Sequence, residues 1–225
     1  MANSGLSTSN QSYLKAVWVL GEWSSEPVTA TRIASRVGVR LSTASDAIKK
    51  LAERGLLEHA PYGAVALTPE GLAHALQTVR RHRLIETFLV EALGYRWEQV
   101  HEEAEQLENA VSDFMIERID ATLGHPSRDP HGDPIPGPDG AFDKPDARPL
   151  SEASAGQRVR VERVSDSDPA LLEYLAGNGV IFGAELEVRP AEPFSDTVSL
   201  VVKGSGDALS IGTTAARELW VSRVK

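Results

Sequence analysis

Residues 29–68 read TATRIASRVGVRLSTASDAIKKLAERGLLEHAPYGAVALT, and this stretch decides the fold of the N-terminal part of the chain. Apolar residues recur at helical spacing over 29–37 and again over 42–54. Gly38 breaks the first of these segments, and Gly55 follows the second in the way that glycine commonly follows a helix. The pattern predicts two short helices separated by a tight turn.

The segments on either side complete the arrangement. Residues 12–21 have the apolar spacing of an earlier helix. Residues 56–59 and 64–68 resemble two short strands around the turn Pro61-Tyr62-Gly63. Three helices followed by a hairpin are typical of a winged helix-turn-helix, whose last helix enters the DNA major groove. The order therefore predicts a DNA-binding domain.

The predicted third helix, capped by Ser42, begins with small hydroxyl side chains that fit a major groove and can bond bases or phosphates. Lysines further along can contact phosphates. Each residue alone is more typical of a helix cap or a solvated face than of a DNA contact. The whole arrangement nevertheless favours DNA binding, although the wing is weakly charged. The candidate DNA contacts are Thr29, Arg40, Ser42, Thr43, Ser45, Asp46, Lys49 and Lys50.

The net charge of −9 is distributed unevenly. Residues 1–90 hold ten basic and seven acidic side chains, a net of +3, whereas residues 91–150 hold five and fourteen, a net of −9. Because DNA binding depends on the local field of the docking face, the acidic total does not exclude it. The acidic middle region also suits a cation site.

Two long helices are predicted after the wing. Thr68 caps the first, and Pro69 occupies its first position, where proline is favoured. This helix extends to about Leu93, and after a short interruption the second covers Trp97 to about Leu123. Helices joined by so short an interruption are expected to pack antiparallel.

Histidines and carboxylates share one face of each long helix. His82 and Glu86 are four residues apart on the first. His101, Glu105 and Glu108 lie within a wedge of roughly 60° on the second. Grouping two imidazoles and three carboxylates without a cation would be costly through repulsion and desolvation. The spacing predicts a divalent-cation site between the helices.

Each set also has a simpler interpretation. His82 lies in an arginine-rich run typical of a basic helix face, and the acidic run after His101 is compatible with solvent exposure. If the groups do bind an ion, they offer only nitrogen and oxygen, which suits manganese(II) or iron(II), with zinc(II) or cobalt(II) as substitutes.

The C-terminal part has a different pattern. Residues 125–149 contain seven of the thirteen prolines, a composition typical of a linker. Beyond residue 157, short strands and a small helix near 169–176 predict a compact β-barrel with a helix insertion. The predicted strands are 158–164, 185–190, 197–202 and 209–212.

Composition excludes several classes of protein. The chain has no cysteine, which excludes disulfides, thiolate metal sites and cysteine nucleophiles. It lacks a run of about 18 apolar residues and the basic-then-apolar layout of a signal peptide. We therefore expect a cytoplasmic protein with no membrane partner.

Three segments are specific in combination: VRRHRLIETFL at 79–89, VHEEAE at 100–105 and RDPHGDP at 128–134. Shorter ones at 11–15, 42–45 and 62–68 accompany them. In these segments the chain resembles the diphtheria-toxin-repressor family of metal-dependent transcriptional regulators, and most closely its actinobacterial manganese-responsive members.

The resemblance implies a mainly α fold with small β parts. It implies a winged helix-turn-helix over 1–73, a helical metal-binding and dimerisation domain with a Pro-rich linker at its end over 74–148, and an SH3-like β-barrel over 149–225. It also implies a homodimer that binds palindromic operators of metal-homeostasis genes in double-stranded DNA when metal is bound.

The resemblance further implies one metal site at His82, Glu86 and His101, and a regulatory site that includes Glu105 and Glu108. Iron-responsive relatives carry cysteine where this chain has Glu105, and a carboxylate favours manganese(II), with iron(II) as the alternative.

Two family positions differ here. Ser12 stands where the family usually has Met or Asp, and Asn109 where it often has His. Both offer only neutral oxygens, so we expect the second site to be weaker, to use water or to recruit another residue. Asp166 lies near the place where some relatives supply a ligand from the SH3-like domain.

The expected mechanism is metal-activated repression, in which the ion sets the spacing of two reading helices in a homodimer to match operator turns roughly 34 Å apart. A winged-helix regulator that senses an organic molecule is the alternative. A di-metal enzyme is not expected, because the sequence does not carry Glu-x-x-His on two helices and has neither a phosphate loop nor a nucleophile elbow. The candidate dimer surface comprises Leu107, Val111, Phe114, Met115 and Ile119.

Overall fold

The structure, a computed structural model, describes residues 6–59, 63–192 and 194–224. It divides into two compact units. The first unit contains the described part of Met1–His82 with Glu108–Glu117 and Pro136–Ala141. The second contains Arg83–Leu107, Arg118–Ile135 and the described part of Phe142–Lys225.

The first unit begins with the predicted helices and hairpin, which are confirmed. They are α1 (Thr8–Glu22), α2 (Ala30–Val37), α3 (Leu41–Glu53), β1 (Leu57–His59) and β2 (Val65–Leu67), with β1 and β2 antiparallel. Their apolar faces meet in one core, in which buried side chains come from every helix and both strands. The predicted wing turn at Pro61 and Tyr62 lies outside the described residues.

The ends of α2 and α3 follow from local chemistry. The Thr29 hydroxyl accepts the Arg32 N–H and caps α2, and Gly38 ends α2 with a φ of 72°, a left-handed conformation that glycine adopts without strain. The prediction that Ser42 caps α3 is wrong. The extended residue before this helix is Arg40, with φ −70° and ψ 148°, so Ser42 lies inside the first turn.

The first predicted long helix is confirmed as α4 (Pro69–Leu93), and the Thr68 hydroxyl caps it by accepting the Gly71 N–H at 3.1 Å. The second predicted long helix is wrong as one element. A 3₁₀ turn (Trp97–Gln99) leads into α5 (Val100–Leu107), which ends before α6 (Asp113–Thr122) begins.

The break between α5 and α6 has identifiable partners in the first unit. The Arg81 guanidinium donates to the main-chain carbonyl of Glu108 at 2.8 Å and pairs with Asp113 at 2.6 Å. The Ser112 hydroxyl accepts the Met115 N–H at 3.2 Å. Because a side chain satisfies a carbonyl that a continuous helix would use, the chain can stop and start a new helix here.

The second unit contains an antiparallel sheet with two short helices. The elements are β3 (Arg148–Pro149), β4 (Arg158–Val164), α7 (Pro169–Gly177), β5 (Glu185–Arg189), β6 (Thr197–Val202), β7 (Ala208–Gly212), α8 (Thr213–Arg217) and β8 (Leu219–Arg223). Among the described residues the strand order is β3-β8-β4-β5-β6-β7. The predicted strands and small helix are confirmed as β4–β7 and α7, whereas β3, α8 and β8 were not predicted.

A register shift near the end of β4 changes the direction in which its last side chains point. It falls between Val161 and Arg163 in the pairing with β8. Such bulges re-aim side chains. Here Arg163 lies over the Trp220 ring, 4.5 Å from its centroid, and donates to Asp133 at 2.9 Å.

Part of the Pro-rich segment predicted as a linker is buried in the second unit. The His131 carbonyl accepts the Val164 N–H at 2.9 Å, which attaches the segment to β4. Gly132 has a φ of 93°, and a Cβ there would lie 2.1 Å from the Glu162 carbonyl oxygen. Residues 129 and 131–135 are buried, so Pro and Gly build a fixed turn here and not a flexible connection.

Candidate metal centre

Three elements of the second unit bring a candidate ligand set together. Glu86 comes from α4, His101 from α5, and Asp166 from the loop that follows β4. Their ligand atoms lie within 4.8 Å of one another. His101 Nδ1 is 2.8 Å from Asp166 Oδ2 and 3.4 Å from Glu86 Oε1. Glu86 is only 1% exposed, so its charge needs a partner inside the protein.

The two carboxylates hold a proton on His101. Burial is the largest influence and disfavours the imidazolium, but the hydrogen bonds and charges of Asp166 and Glu86 raise the pKa of His101 to about 10. A divalent ion in the place of this proton would carry two positive charges and would neutralise the two carboxylates more fully than the imidazolium does. An imidazole with two carboxylates is a donor set that manganese(II), iron(II) or zinc(II) accepts. The residues present therefore fit a divalent metal ion.

The other predicted ligands are His82, Glu105, Glu108 and Asn109, and the structure agrees with the prediction for some of them only. His82 lies one turn before Glu86 on α4, as predicted. Glu105 lies on α5, with its Oε1 3.7 Å from His101 Nε2 and its side chain 54% exposed. The prediction that Glu108 shares a face of that helix is wrong, because α5 ends at Leu107. Asn109 is exposed just beyond this end.

Glu108 belongs to a separate buried cluster in the first unit. Its Oε2 lies 2.8 Å from Lys15 Nζ and 2.7 Å from His82 Nδ1, and Lys15 Nζ is 3.0 Å from His82 Nδ1. Burial is the largest influence on the carboxyl and works to raise its pKa, but His82 and Lys15 together lower the pKa of Glu108. Lys15, which the sequence analysis did not predict, is thus a cation built into this cluster.

Ser12 does not reach this cluster through its hydroxyl. Its Oγ donates to the Thr8 carbonyl one turn back at 3.1 Å. This hydrogen bond is local to α1 and is common for serine within helices.

Asp129 and His131 are buried polar residues that the sequence analysis did not predict as ligands. With Glu86 they form another group whose ligand atoms lie within 4.8 Å of one another. They were missed because prolines and glycines dominate their segment. The alternation of Asp129, His131 and Asp133 was the available signal, since three such groups two residues apart are unusual in a plain linker.

The predicted DNA contacts lie on or next to α2 and α3. The side chains of Arg40, Ser42, Thr43, Ser45, Asp46, Lys49 and Lys50 are exposed, whereas Thr29 is partly buried and caps α2. The opposite face of α3 is buried through Ala44, Ile48 and Leu51. The helix therefore presents a hydroxyl-rich face with two lysines to its surroundings.

The candidate dimer residues differ in exposure. Phe114 is 71% exposed and Met115 is 47% exposed, whereas Ile119 is buried. Leu107 and Val111 are partly buried. Two large apolar side chains next to each other on α6 are thus available for contact with a partner.

Comparison with known proteins gives matches along most of the chain. Family models match for the iron dependent repressor N-terminal DNA binding domain (residues 5–65), the iron dependent repressor metal binding and dimerisation domain (68–137), and the FeoA domain (148–223). The iron-dependent repressor IdeR of Mycobacterium leprae is 32% identical over 205 residues, covering 85% of this chain and 87% of that protein. The chain belongs to the iron-dependent repressor family.

Two further relatives agree with this assignment. The diphtheria toxin repressor of Corynebacterium diphtheriae is 32% identical over 186 residues, covering 78% of this chain and 82% of that protein. A solved structure described as a manganese-dependent transcriptional repressor in complex with manganese is 48% identical, with a TM-score of 0.91, and covers 96% of this chain and all of that one. The resemblance to the diphtheria-toxin-repressor family is confirmed.

Membership in the iron-dependent repressor family establishes the general function. The chain is a metal-dependent transcriptional repressor and not an enzyme, with DNA, a second copy of itself and a divalent metal ion as partners. The predicted fold class is also confirmed, including the SH3-like C-terminal domain. Within the described residues, no helix combines the length and apolar character needed to cross a membrane.

Proposed function

We propose that this repressor is activated by manganese(II) and binds palindromic operators of metal-homeostasis genes as a homodimer. The observation that carries the proposal is the convergence of Glu86, His101 and Asp166 in the second unit. We propose His82 as a further ligand, because it lies one turn from Glu86 on the same helix.

The donor atoms favour manganese(II). The chain has no cysteine, so sulfur ligands that select softer ions can come only from its two methionines. The relative that is 48% identical is described as manganese-dependent. Iron(II) is the second candidate, because relatives that are 32% identical are named iron-dependent repressors.

A second ion at Glu105, Glu108 and Asn109 is a separate part of the proposal. Glu108 already accepts a hydrogen bond from Lys15 at 2.8 Å. An ion at Glu108 would compete with this ammonium group, so we expect weaker binding there than at Glu86 and His101.

We propose that each expected domain has its own role. We assign DNA binding to residues 1–73, metal binding and dimerisation to residues 74–148, and the SH3-like domain to residues 149–225. Asp166 supplies a ligand from the last of these. The exposed hydroxyls and lysines of α3 are the proposed groove and phosphate contacts, with Thr29 and Arg40 beside them.

Regulation would act through Glu86, His101 and Asp166, which contact one another in the metal-free protein and would contact the ion in the metal-bound protein. A bound ion supplies a positive charge that joins α4, α5 and the loop after β4. Without it, His101 is protonated and Glu86 is held by hydrogen bonding. In a homodimer, the metal-bound arrangement would select the spacing of the two α3 helices that matches adjacent operator turns, roughly 34 Å apart.

The test is DNA binding by the full chain to fragments selected from a random library. Fluorescence anisotropy is measured with manganese(II), anaerobic iron(II), zinc(II), cobalt(II) or EDTA. We expect a coupling of roughly 1–3 kcal/mol, or about 5–150-fold, between manganese and DNA. Binding that EDTA leaves unchanged would contradict metal control, and a larger response to iron(II) would favour the second candidate.

Two glutamates of α4 provide a matched pair of variants. Glu86→Gln removes the charge of a buried ligand, whereas Glu91→Gln changes an exposed residue on the same helix. The first is expected to abolish the manganese response and the second to preserve it. Circular dichroism and thermal unfolding check that both variants fold.

A further inference from the structure

One carboxylate lies in the middle of the face of α3 that is proposed to enter the major groove. The buried side of this helix is formed by Ala44, Ile48 and Leu51. Because successive residues of an α-helix are turned by about 100°, Asp46 is turned by roughly 140–160° from all three. Asp46 is exposed. Its side chain therefore points away from the core and toward whatever the helix binds.

The neighbours of Asp46 on this exposed face have a different chemistry. Ser42 and Thr43 lie about one turn before it, and Lys49 and Lys50 lie about one turn after it. All four are exposed. A hydroxyl donates and accepts hydrogen bonds, an ammonium group only donates, and a carboxylate only accepts. Asp46 thus places an acceptor between groups that can donate to bases or phosphates.

The charge of Asp46 is not offset by a partner in the part of the chain that the structure describes. Carboxylates commonly pair with lysines three or four residues away on the surface of a helix. Lys49 instead lies with its Nζ 4.0 Å from Glu53 Oε1. Within the described ranges Asp46 forms neither a hydrogen bond nor an ion pair. Its carboxylate is therefore available to an external donor.

A carboxylate that enters the major groove has few favourable partners there. The phosphates repel it, and the base edges offer two amino groups, N4 of cytosine and N6 of adenine. Adenine also presents N7, an acceptor, next to its amino group, whereas cytosine presents its amino group alone. A group that only accepts hydrogen bonds therefore favours cytosine.

The position of Asp46 along α3 suits contact with a base. It lies in the second turn of a helix that begins at Leu41, and in helix-turn-helix proteins the N-terminal part of this helix contacts base edges. The side chains before it, Ser42, Thr43 and Ser45, are small. This half of the helix can therefore approach the bases closely enough for the short side chain of an aspartate.

We propose that Asp46 selects a cytosine in each half of the operator by accepting a hydrogen bond from the N4 amino group. The inference rests on the proposed function, in which α3 enters the major groove, and it adds which base is read. A sequence without that cytosine leaves the carboxylate facing acceptors and phosphates, so Asp46 also weakens binding to incorrect sites. In a homodimer the two copies would read two cytosines related by the symmetry of a palindrome.

The test begins with DNA fragments that the full-length wild type selects from a random library in manganese(II). Each base pair of the selected half-site is then changed in turn, and affinity is measured by fluorescence anisotropy at fixed salt. We expect one position at which replacing cytosine weakens wild-type binding by about 5–150-fold. The same replacement should have little effect on Asp46→Ala, which has no carboxylate to match with a base.

Asp46→Asn gives a sharper result, because it keeps the shape of the side chain and adds a donor. Asparagine pairs with N6 and N7 of adenine together. The preferred base at the position read by Asp46 should therefore change from cytosine to adenine. A change in preference at one base pair is a result that a purely structural role of Asp46 would not produce.

Two other residues of α3 provide controls. Glu53→Gln removes a carboxylate that is 64% exposed in the last turn of the helix, and the wild-type base preference should remain. Lys50→Gln removes a proposed phosphate contact. It should weaken binding to all sequences by a similar factor and lower the slope of the salt dependence by about one, without changing the preferred bases.

The outcomes separate this inference from the proposed function. If Asp46→Ala and Asp46→Asn keep the wild-type preference at every base pair, or if the selected sites share no cytosine, the inference is overturned while metal-dependent binding stands. If base preference changes as expected but EDTA leaves binding unaffected, metal control fails and the reading of cytosine stands. Circular dichroism checks that each variant is folded.

Discussion

The two units each bury carboxylates, but they neutralise them with different cations. In the first unit, the cation is the ammonium group of Lys15, whose Nζ lies 2.8 Å from Glu108 Oε2. In the second unit, Glu86 and Asp166 face His101, whose charge depends on a proton that an ion can replace. A cluster whose cation is a lysine side chain has a structural role. A cluster whose cation is a proton on histidine can exchange that proton for a metal ion, and its stability depends on pH. The following predictions separate these roles.

The largest effect is expected from Lys15→Met, which removes the built-in cation and leaves Glu108 buried beside His82. Losing one partner of a buried ion pair costs about 3–5 kcal/mol of unfolding free energy. Urea denaturation in EDTA at neutral pH measures this loss. Lys49→Met is the control, because that side chain is 77% exposed and is expected to change stability by less than about 1 kcal/mol.

A double variant tests the reason for this loss. Lys15→Met combined with Glu108→Gln removes both charges, so much of the lost stability should return. If Lys15→Met alone were as stable as the wild type, Lys15 would not be the stabilising cation of the first cluster.

The responsive cluster is tested by His101→Gln. Altering residues that merely support metal ligands lowers affinity by about 10–100-fold, so loss of a ligand should cost at least that much. Calorimetric titration with manganese(II) measures the affinity. Glu103→Gln, on the exposed side of α5, should titrate like the wild type. Equal affinity in the His101 variant would exclude His101 as a ligand.

The contrast between the clusters also shows what the sequence can predict. The sequence indicated His82, Glu86 and His101 as candidate ligands because residues four apart on a helix share a face, and this depends on local geometry alone. Lys15 was not identifiable. Its partners lie 67 and 93 residues away in the chain, and nothing next to it distinguishes it from an exposed lysine.

Two other features required the tertiary structure. The break after α5 depends on Arg81, whose guanidinium binds the Glu108 carbonyl from 27 residues away. The burial of Asp129 and His131 depends on Gly132 packing against the main chain of β4. Composition alone describes that segment as a linker, because Pro and Gly are common both in flexible connections and in fixed turns.

A smaller effect is expected on the pH dependence of the unfolding free energy of the metal-free protein, and it comes from His101 with Glu86 and Asp166. His101 has a folded-state pKa of about 10, above the ordinary 6.5, so its stabilising charge is fully present below pH 6.5 and is lost as pH rises through 10. Burial works to lower the pKa of His131, but Glu86 and Asp129 raise it overall, which adds to the same trend.

We expect a loss of about 2 kcal/mol between pH 7 and pH 9. Thermal unfolding in EDTA measures the profile, and His101→Gln should flatten most of it. Saturating manganese(II) should also flatten it, since the ion replaces the proton. An equally steep profile in the His101 variant would assign the alkaline loss to other groups.

The smallest effect is expected from Asp129→Asn. It tests whether the charge of the Asp129 carboxylate is already offset in the metal-free protein or still needs a cation. Burial, followed by the charge of Asp133, raises the pKa of Asp129, so this carboxyl stabilises the fold less as pH rises above its ordinary value of 3.8. In EDTA at pH 8, Asp129→Asn should therefore increase unfolding free energy by about 1 kcal/mol. With manganese(II) bound at Glu86 the sign should reverse, because the charge of the ion would stabilise the nearby Asp129 carboxylate, which the variant lacks. If the variant were less stable than the wild type in both conditions, the Asp129 charge would be stabilised by Arg83 without a metal ion. Asp129 would then resemble Glu108, whose charge is offset by a side chain of the protein.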